Sequence, residues 1–98
     1  MAIKAFQDKA TEDIAHELKS KKALKRLPSP LHRAAYRRLV FLDHAHSLKD
    51  LKEWKSNRFE RLKGDRKGQC SIRINNQYRI CFKWIDNDAY EVEIVDYH

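Results

Sequence analysis

The chain has 98 residues, 42% of them hydrophobic, and carries 21 Lys and Arg against 14 Asp and Glu, a formal charge of +7. That suits one domain, residues 1–98, with a modest core, and is too short for two. The apolar content excludes a disordered polycation, and no apolar run approaches the roughly 20 residues of a membrane span. The opening MAIKAFQDKATED lacks the apolar stretch of a secretory signal, so the expectation is a soluble, cytoplasmic domain with an anionic partner and no membrane contact.

Ile3 to Phe6 reads as a short strand. From Asp8 to Leu18 the residues Ala10, Ile14 and Leu18 recur at i, i+4 and i+8, a helix with one apolar stripe. Residues 19–30 (KSKKALKRLPSP) crowd lysines against two prolines, which breaks any helix there. Ser29-Pro30 offers an N-cap with proline at the first helical position. Leu31, Ala34, Ala35, Leu39, Leu42 and Ala45 then repeat at helical spacing, with Arg33, Arg37 and His44 opposite. Ser47 to Leu51 forms a further short turn of helix.

After Trp54 the period becomes two. Arg58 to Leu62 is a strand, followed by turns at Gly64-Asp65 and Gly68. Cys70, Ile72 and Ile74 alternate with Gln69, Ser71, Arg73 and Asn75. Tyr78, Ile80, Phe82 and Trp84 alternate with Arg79, Cys81 and Lys83. Asp86-Asn87-Asp88 marks a tight turn, and Tyr90, Val92 and Ile94 alternate with Glu91 and Glu93. This is an antiparallel meander whose apolar face needs a cover. The two helices supply it, giving an α+β fold in the order β-α-α-β-β-β-β.

Charge is uneven along the chain. Residues 52–83 hold ten basic and three acidic groups, whereas residues 84–98 hold five acids and no Lys or Arg. The outward face of the meander therefore gathers Lys63, Arg66, Lys67, Arg73, Arg79 and Lys83, the fork-shaped and point cations that grip phosphate. Gln69, Asn75 and Gln77 add donors able to read bases. Arg79 is taken as outward-facing, so its removal is expected to spare the fold. The chain closes on Asp96-Tyr97-His98, a carboxylate, a phenol and an imidazole at the end of a strand. RNA cleavage through the 2′-OH needs a proton acceptor, neutralisation of the pentacoordinate phosphate and a proton for the leaving 5′ oxygen; His, Asp, Lys or Tyr could move the protons, and Arg and Lys could hold the charge. Cys70 and Cys81 have no zinc or CxxC spacing, and His44 and His46 are two apart, which does not align ligands on a helix. No metal and no cofactor are expected, and the cysteines read as reduced, buried small hydrophobes.

The runs NRFERLKGDRKGQ (57–69) and SIRINNQYRICFKW (71–84) and the ending VEIVDYH (92–98) resemble the HigB toxins. These are a branch of the RelE/ParE superfamily, often called plasmid maintenance system killer proteins. The resemblance implies a RelE-like fold, with two N-terminal helices packed on a small antiparallel sheet. It implies a toxin of a type II toxin-antitoxin system that enters the ribosome and cuts mRNA codons in the A site. It also implies a HigA-like helix-turn-helix antitoxin as partner, with operator DNA bound indirectly through that antitoxin. By position, Lys63 matches the lysine of the family's Leu-Lys-Gly-Asp-Arg step, and Arg79 matches the arginine after the aromatic, here Tyr78. Asp96, Tyr97 and His98 match the C-terminal catalytic cluster. Arg66, Lys67, Gln69, Arg73, Gln77 and Lys83 would hold RNA. Some members use a histidine three residues before that lysine; here the position is Glu60, so His98 becomes the expected imidazole. Two other readings share the same cations: a ParE-like gyrase inhibitor, which would not need Asp96 or His98, and a basic nucleic-acid-binding module without catalysis.

Overall fold

The computed structural model describes residues 1–97. Four helices precede a four-stranded antiparallel sheet in the order β1-β2-β3-β4, and among the described residues no helix is long and apolar enough to cross a membrane. Helix α1 (Lys9–Ala15) starts where Asp8 accepts the Thr11 amide at 2.8 Å. It is shorter than its periodicity predicts. The amides of Leu18 and Glu17 turn back to the carbonyls of Asp13 and Ile14, and Glu17 takes φ 59°, a left-handed helix stop made without glycine. Leu18 is consequently outside the helix and exposed.

The lysine-rich stretch does not break helicity as its composition suggests. Ser20 caps a one-and-a-half-turn helix, α2 (Lys21–Arg26), whose Ala23 is fully buried. The cap succeeds because the Ser20 hydroxyl also donates to the buried Asp13 carboxylate at 2.6 Å, tying α2 to α1. Ser29-Pro30 falls in a single 3-10 turn rather than opening the next helix; the Ser29 hydroxyl accepts from Lys19 instead of capping. Helix α3 (His32–Asp43) then buries His32, Ala35, Leu39 and Leu42, and α4 (Leu48–Glu53) is capped by Ser47.

The meander comprises β1 (Glu60–Arg61), β2 (Gln69–Arg73), β3 (Tyr78–Ile85) and β4 (Asp88–Asp96). Asp86 and Asn87, both at positive φ, form the two-residue turn that matches strand twist between β3 and β4. Residues 3–6 do not form a strand of their own. They bridge β4 in parallel at Ile3–Ala89 and Phe6–Val92. Further along that edge, Thr11 Oγ1 accepts from the Ile94 amide at 3.1 Å and Arg26 donates to the Ile94 carbonyl at 2.9 Å. Backbone groups at the β4 edge are thus paired by the N-terminal segment and by two helix side chains.

One core joins helices and sheet, through Ile14, Leu27, Leu39, Leu42 and Leu51 on one side and Ile72, Ile80, Phe82, Val92 and Ile94 on the other. Alternation fails at one point. Cys81 pairs with Glu93, but Lys83 pairs with Tyr90, so β4 carries one extra residue at Glu91, which has φ 52°. The bulge reverses the faces beyond it: Ala89 joins the core and Tyr90 stands beside Lys83 on the outer face, not with Val92 and Ile94.

Candidate functional site

Cross-strand partners share a face, so the pairing defines the outer surface as rows. Arg73 pairs with Arg79, and Arg79 with Val95; Glu60, Ser71, Cys81 and Glu93 form the next row; Gln69, Lys83 and Tyr90 the third. Arg79 sits where the first two rows meet, and it is not an exposed cation. It is 9% exposed. Its Nε donates to Ser71 Oγ at 2.7 Å, and Nη2 donates to the Arg58 carbonyl and lies 3.6 Å from the Glu60 carboxylate. The Tyr97 ring lies under its guanidinium, 5.6 Å from ring centre to Cζ. The expectation of a detachable surface arginine is corrected: Arg79 ties β1 and the preceding loop to the middle of the sheet. The same guanidinium lies between an aromatic ring and a half-exposed carboxylate.

The five expected catalytic groups do not share one face. Arg79 pairs with Val95 while Tyr78 pairs with Asp96, so Asp96 projects from the side opposite Tyr97. Gln77 Nε2 donates to Asp96 at 3.1 Å, and the Gln77 carbonyl accepts the Tyr97 amide at 2.6 Å. Tyr97 and Arg79 do meet. Lys63 follows Leu62, whose amide bonds Gln69, in the third row. The Gln69 row is displaced from Arg79 by roughly 13 Å along the strands, four residues of rise; Lys63 lies one residue beyond it, and its exposed side chain has no ion pair among the described residues. His98 lies outside the described residues.

The basic face is partly self-neutralised, because β4 lies in register against β3 and brings its acids with it. Arg66 bonds Gln69 at 2.9 Å and Glu93 at 3.2 Å, and Lys83 pairs with Glu91 at 2.9 Å. Arg73 instead reaches Asn76 in the β2–β3 turn, where Asn75 Oδ1 accepts the amides of Gln77 and Tyr78. Lys67 is exposed. Cys81 lies fully buried beneath this surface, and burial pushes its thiol above the ordinary cysteine value. Cys70 faces the other side, paired with Phe82, so strand geometry keeps the two thiols apart. Among the described residues there is no cluster of His, Cys, Asp and Glu able to hold a metal ion.

Glu60 is the site residue that sequence reasoning set aside. Its 53% exposed side chain places a carboxylate 3.6 Å from Arg79 on the outer face. The signal was available: Glu60 falls on the same alternation as Ser71 and Cys81 once β1 is paired with β2.

Comparison with known proteins agrees with this architecture. A family described as HigB-like toxin, "RelE-like toxin of type II toxin-antitoxin system HigB", matches residues 4–98. Toxin HigB-1 of Vibrio cholerae serotype O1 is 42% identical over 84 residues, 86% of this chain and 85% of that protein. A protein of Proteus vulgaris named endoribonuclease HigB is 49% identical over 37 residues, 38% of this chain and 40% of that one. Among solved structures, the YoeB–YefM complex from Staphylococcus aureus has a chain that superposes with a TM-score of 0.60 at 20% identity, covering 100% of this chain and 99% of that one. That likeness is one of fold.

Proposed function

The chain belongs to the HigB-like family, RelE-like toxins of type II toxin-antitoxin systems, and we propose that it is an endoribonuclease that cuts mRNA in the ribosomal A site. One observation carries the reading: a buried guanidinium with a tyrosine ring on one side and a half-exposed carboxylate on the other, on a face otherwise rich in cations. The name of the Proteus vulgaris relative supports the reaction class.

The reaction divides among these groups. The Glu60 carboxylate takes the proton of the ribose 2′-OH as the O2′–P bond forms. Arg79, its guanidinium fixed by bonds to Ser71 and Arg58, stabilises the charge of the pentacoordinate phosphate. The P–O5′ bond then breaks, and the 5′ oxygen takes a proton from the His98 imidazole. Tyr97 orients the guanidinium and stacks on a base of the codon. Lys63 binds a phosphate further along the strand direction, with Arg66, Lys67, Arg73, Lys83, Gln69 and Gln77 as the wider RNA contact. Asp96, on the opposite side of β4, positions the terminus through Gln77. The partners are a HigA-like antitoxin, through it operator DNA, and the ribosome, all in the cytoplasm.

The test is primer extension and single-turnover cleavage of a defined mRNA, on purified ribosomes and naked. Cuts confined to the A-site codon are expected, with Glu60→Gln slower by about 10²–10⁴. An intact transcript on programmed ribosomes, with DNA gyrase inhibited instead, would overturn the reading.

A further inference from the structure

Beyond the sheet face lies a second arginine cluster that the catalytic reading leaves unused. Residues 56–58 connect the two. Arg79 donates to the Arg58 carbonyl from the sheet side. From the helix side, Arg38 donates to Asn57 Oδ1 at 2.6 Å and Ser56 Oγ at 3.2 Å. Arg58 turns the chain at this point with φ 45°, in the left-handed region. A cleft of about 330 Å³ opens beside Arg38, lined by Ala34, Arg37, Phe41, Trp54 and Ile74, without a carboxylate.

Two features mark this cleft as a ligand site. Arg73, the cross-strand neighbour of Arg79, lies near enough to Arg38 to repel it. Burial first and Arg73 second pull the Arg38 guanidinium below the ordinary arginine value. Among the described residues Arg37, Arg38 and Arg73 have no acidic partner, in contrast to Arg66, Arg79 and Lys83. An anion placed between them would relieve the repulsion. Second, Trp54 is 54% exposed while its ring leans on Phe41, with centroids 5.4 Å apart. A braced, open indole beside guanidinium groups is the pairing that stacks an unpaired base and holds its phosphate.

We propose that the Arg37–Arg38–Trp54 cleft is a single-stranded RNA subsite, which takes a nucleotide flanking the cut and stacks its base on Trp54. The proposal rests on the ribonuclease reading, since it extends the path of the strand that Arg79 would engage. An acidic protein segment is the rival occupant. Carboxylates could meet the arginines, but the flat exposed ring and the continuity with Arg79 favour a strand.

The experiment titrates the whole protein with a 2′-O-methylated single-stranded RNA hexamer, which cannot be cut through its 2′ oxygens, up to millimolar concentration at low salt. Tryptophan emission is expected to be quenched in the wild type and in Arg79→Ala, and the quench to vanish in Trp54→Phe, which keeps the packing on Phe41. Trp54→Ala and Arg37→Gln should each weaken hexamer binding, by about ten-fold for the loss of one stacked base. A quench that persists in Trp54→Phe, or hexamer affinity unchanged in Trp54→Ala, overturns the subsite while leaving the ribonuclease reading intact. So does a Trp54→Ala variant that binds RNA normally but no longer binds the antitoxin, which would assign the cleft to protein. Loss of cleavage is tested separately by Arg79→Ala on the ribosome, so failure of the activity and failure of the subsite give different patterns.

Discussion

Arg79→Ala should damage both chemistry and fold, and the two losses can be measured apart. The substitution removes a charge-assisted bond to the fully buried Ser71 hydroxyl at 2.7 Å and the bond to the Arg58 carbonyl. Such bonds contribute about 1.5–3 kcal/mol each. The half-exposed Glu60 pair adds only about 0–1 kcal/mol, and contact with the Tyr97 ring about 0.5–1 kcal/mol. Water reaching the Arg58 carbonyl recovers part of this, leaving a destabilisation of about 2–4 kcal/mol, or roughly 10–25 °C in Tm for a chain of this size. Loss of phosphorane stabilisation should slow single-turnover cleavage by a further 10²–10³ or so. Arg79→Lys retains the charge without the fork, and should keep more of the stability than of the rate. The assay is cleavage on ribosomes at a temperature where circular dichroism shows each variant folded. A melting temperature within about 2 °C of the wild type would refute the anchoring role. A folded Arg79→Ala that cuts at the wild-type rate would refute the catalytic one.

Leu42 is fully buried in the core beneath the sheet, so Leu42→Ala should cost about 2–5 kcal/mol by urea unfolding. Asp13 is held below the ordinary carboxylate value, first by the Ser20 hydroxyl and then by Lys9. Its contribution is therefore present above about pH 4 and lost as pH falls through the lowered value. Asp13→Asn should flatten that acid limb in melts recorded from about pH 2 to 6, and an unchanged profile would remove Asp13 as its source. Because RNA must displace counterions, binding should weaken steeply from low to physiological salt. Arg73→Gln should reduce that slope by about one unit; equal slopes for the two proteins would take Arg73 off the contact surface.

The strands from residue 69 onward, the α3 stripe and the single core were legible in the sequence because each follows a local period that side-chain burial enforces. The composition of residues 52–83 likewise pointed to a basic face. What local pattern could not carry was set by pairing across distance. Ser20 caps α2 within a lysine-rich run because Asp13 anchors its hydroxyl from the neighbouring helix. Tyr90 changes face because one bulged residue at Glu91 shifts the register against β3. Asp96 parts from Tyr97 because successive strand residues point to opposite sides, whereas sequence adjacency had grouped them with His98. Arg79 reads as a surface cation in any linear pattern. Only the approach of residues 58 and 60 from the edge strand encloses it, and this turns a phosphate-binding candidate into the structural centre of the face.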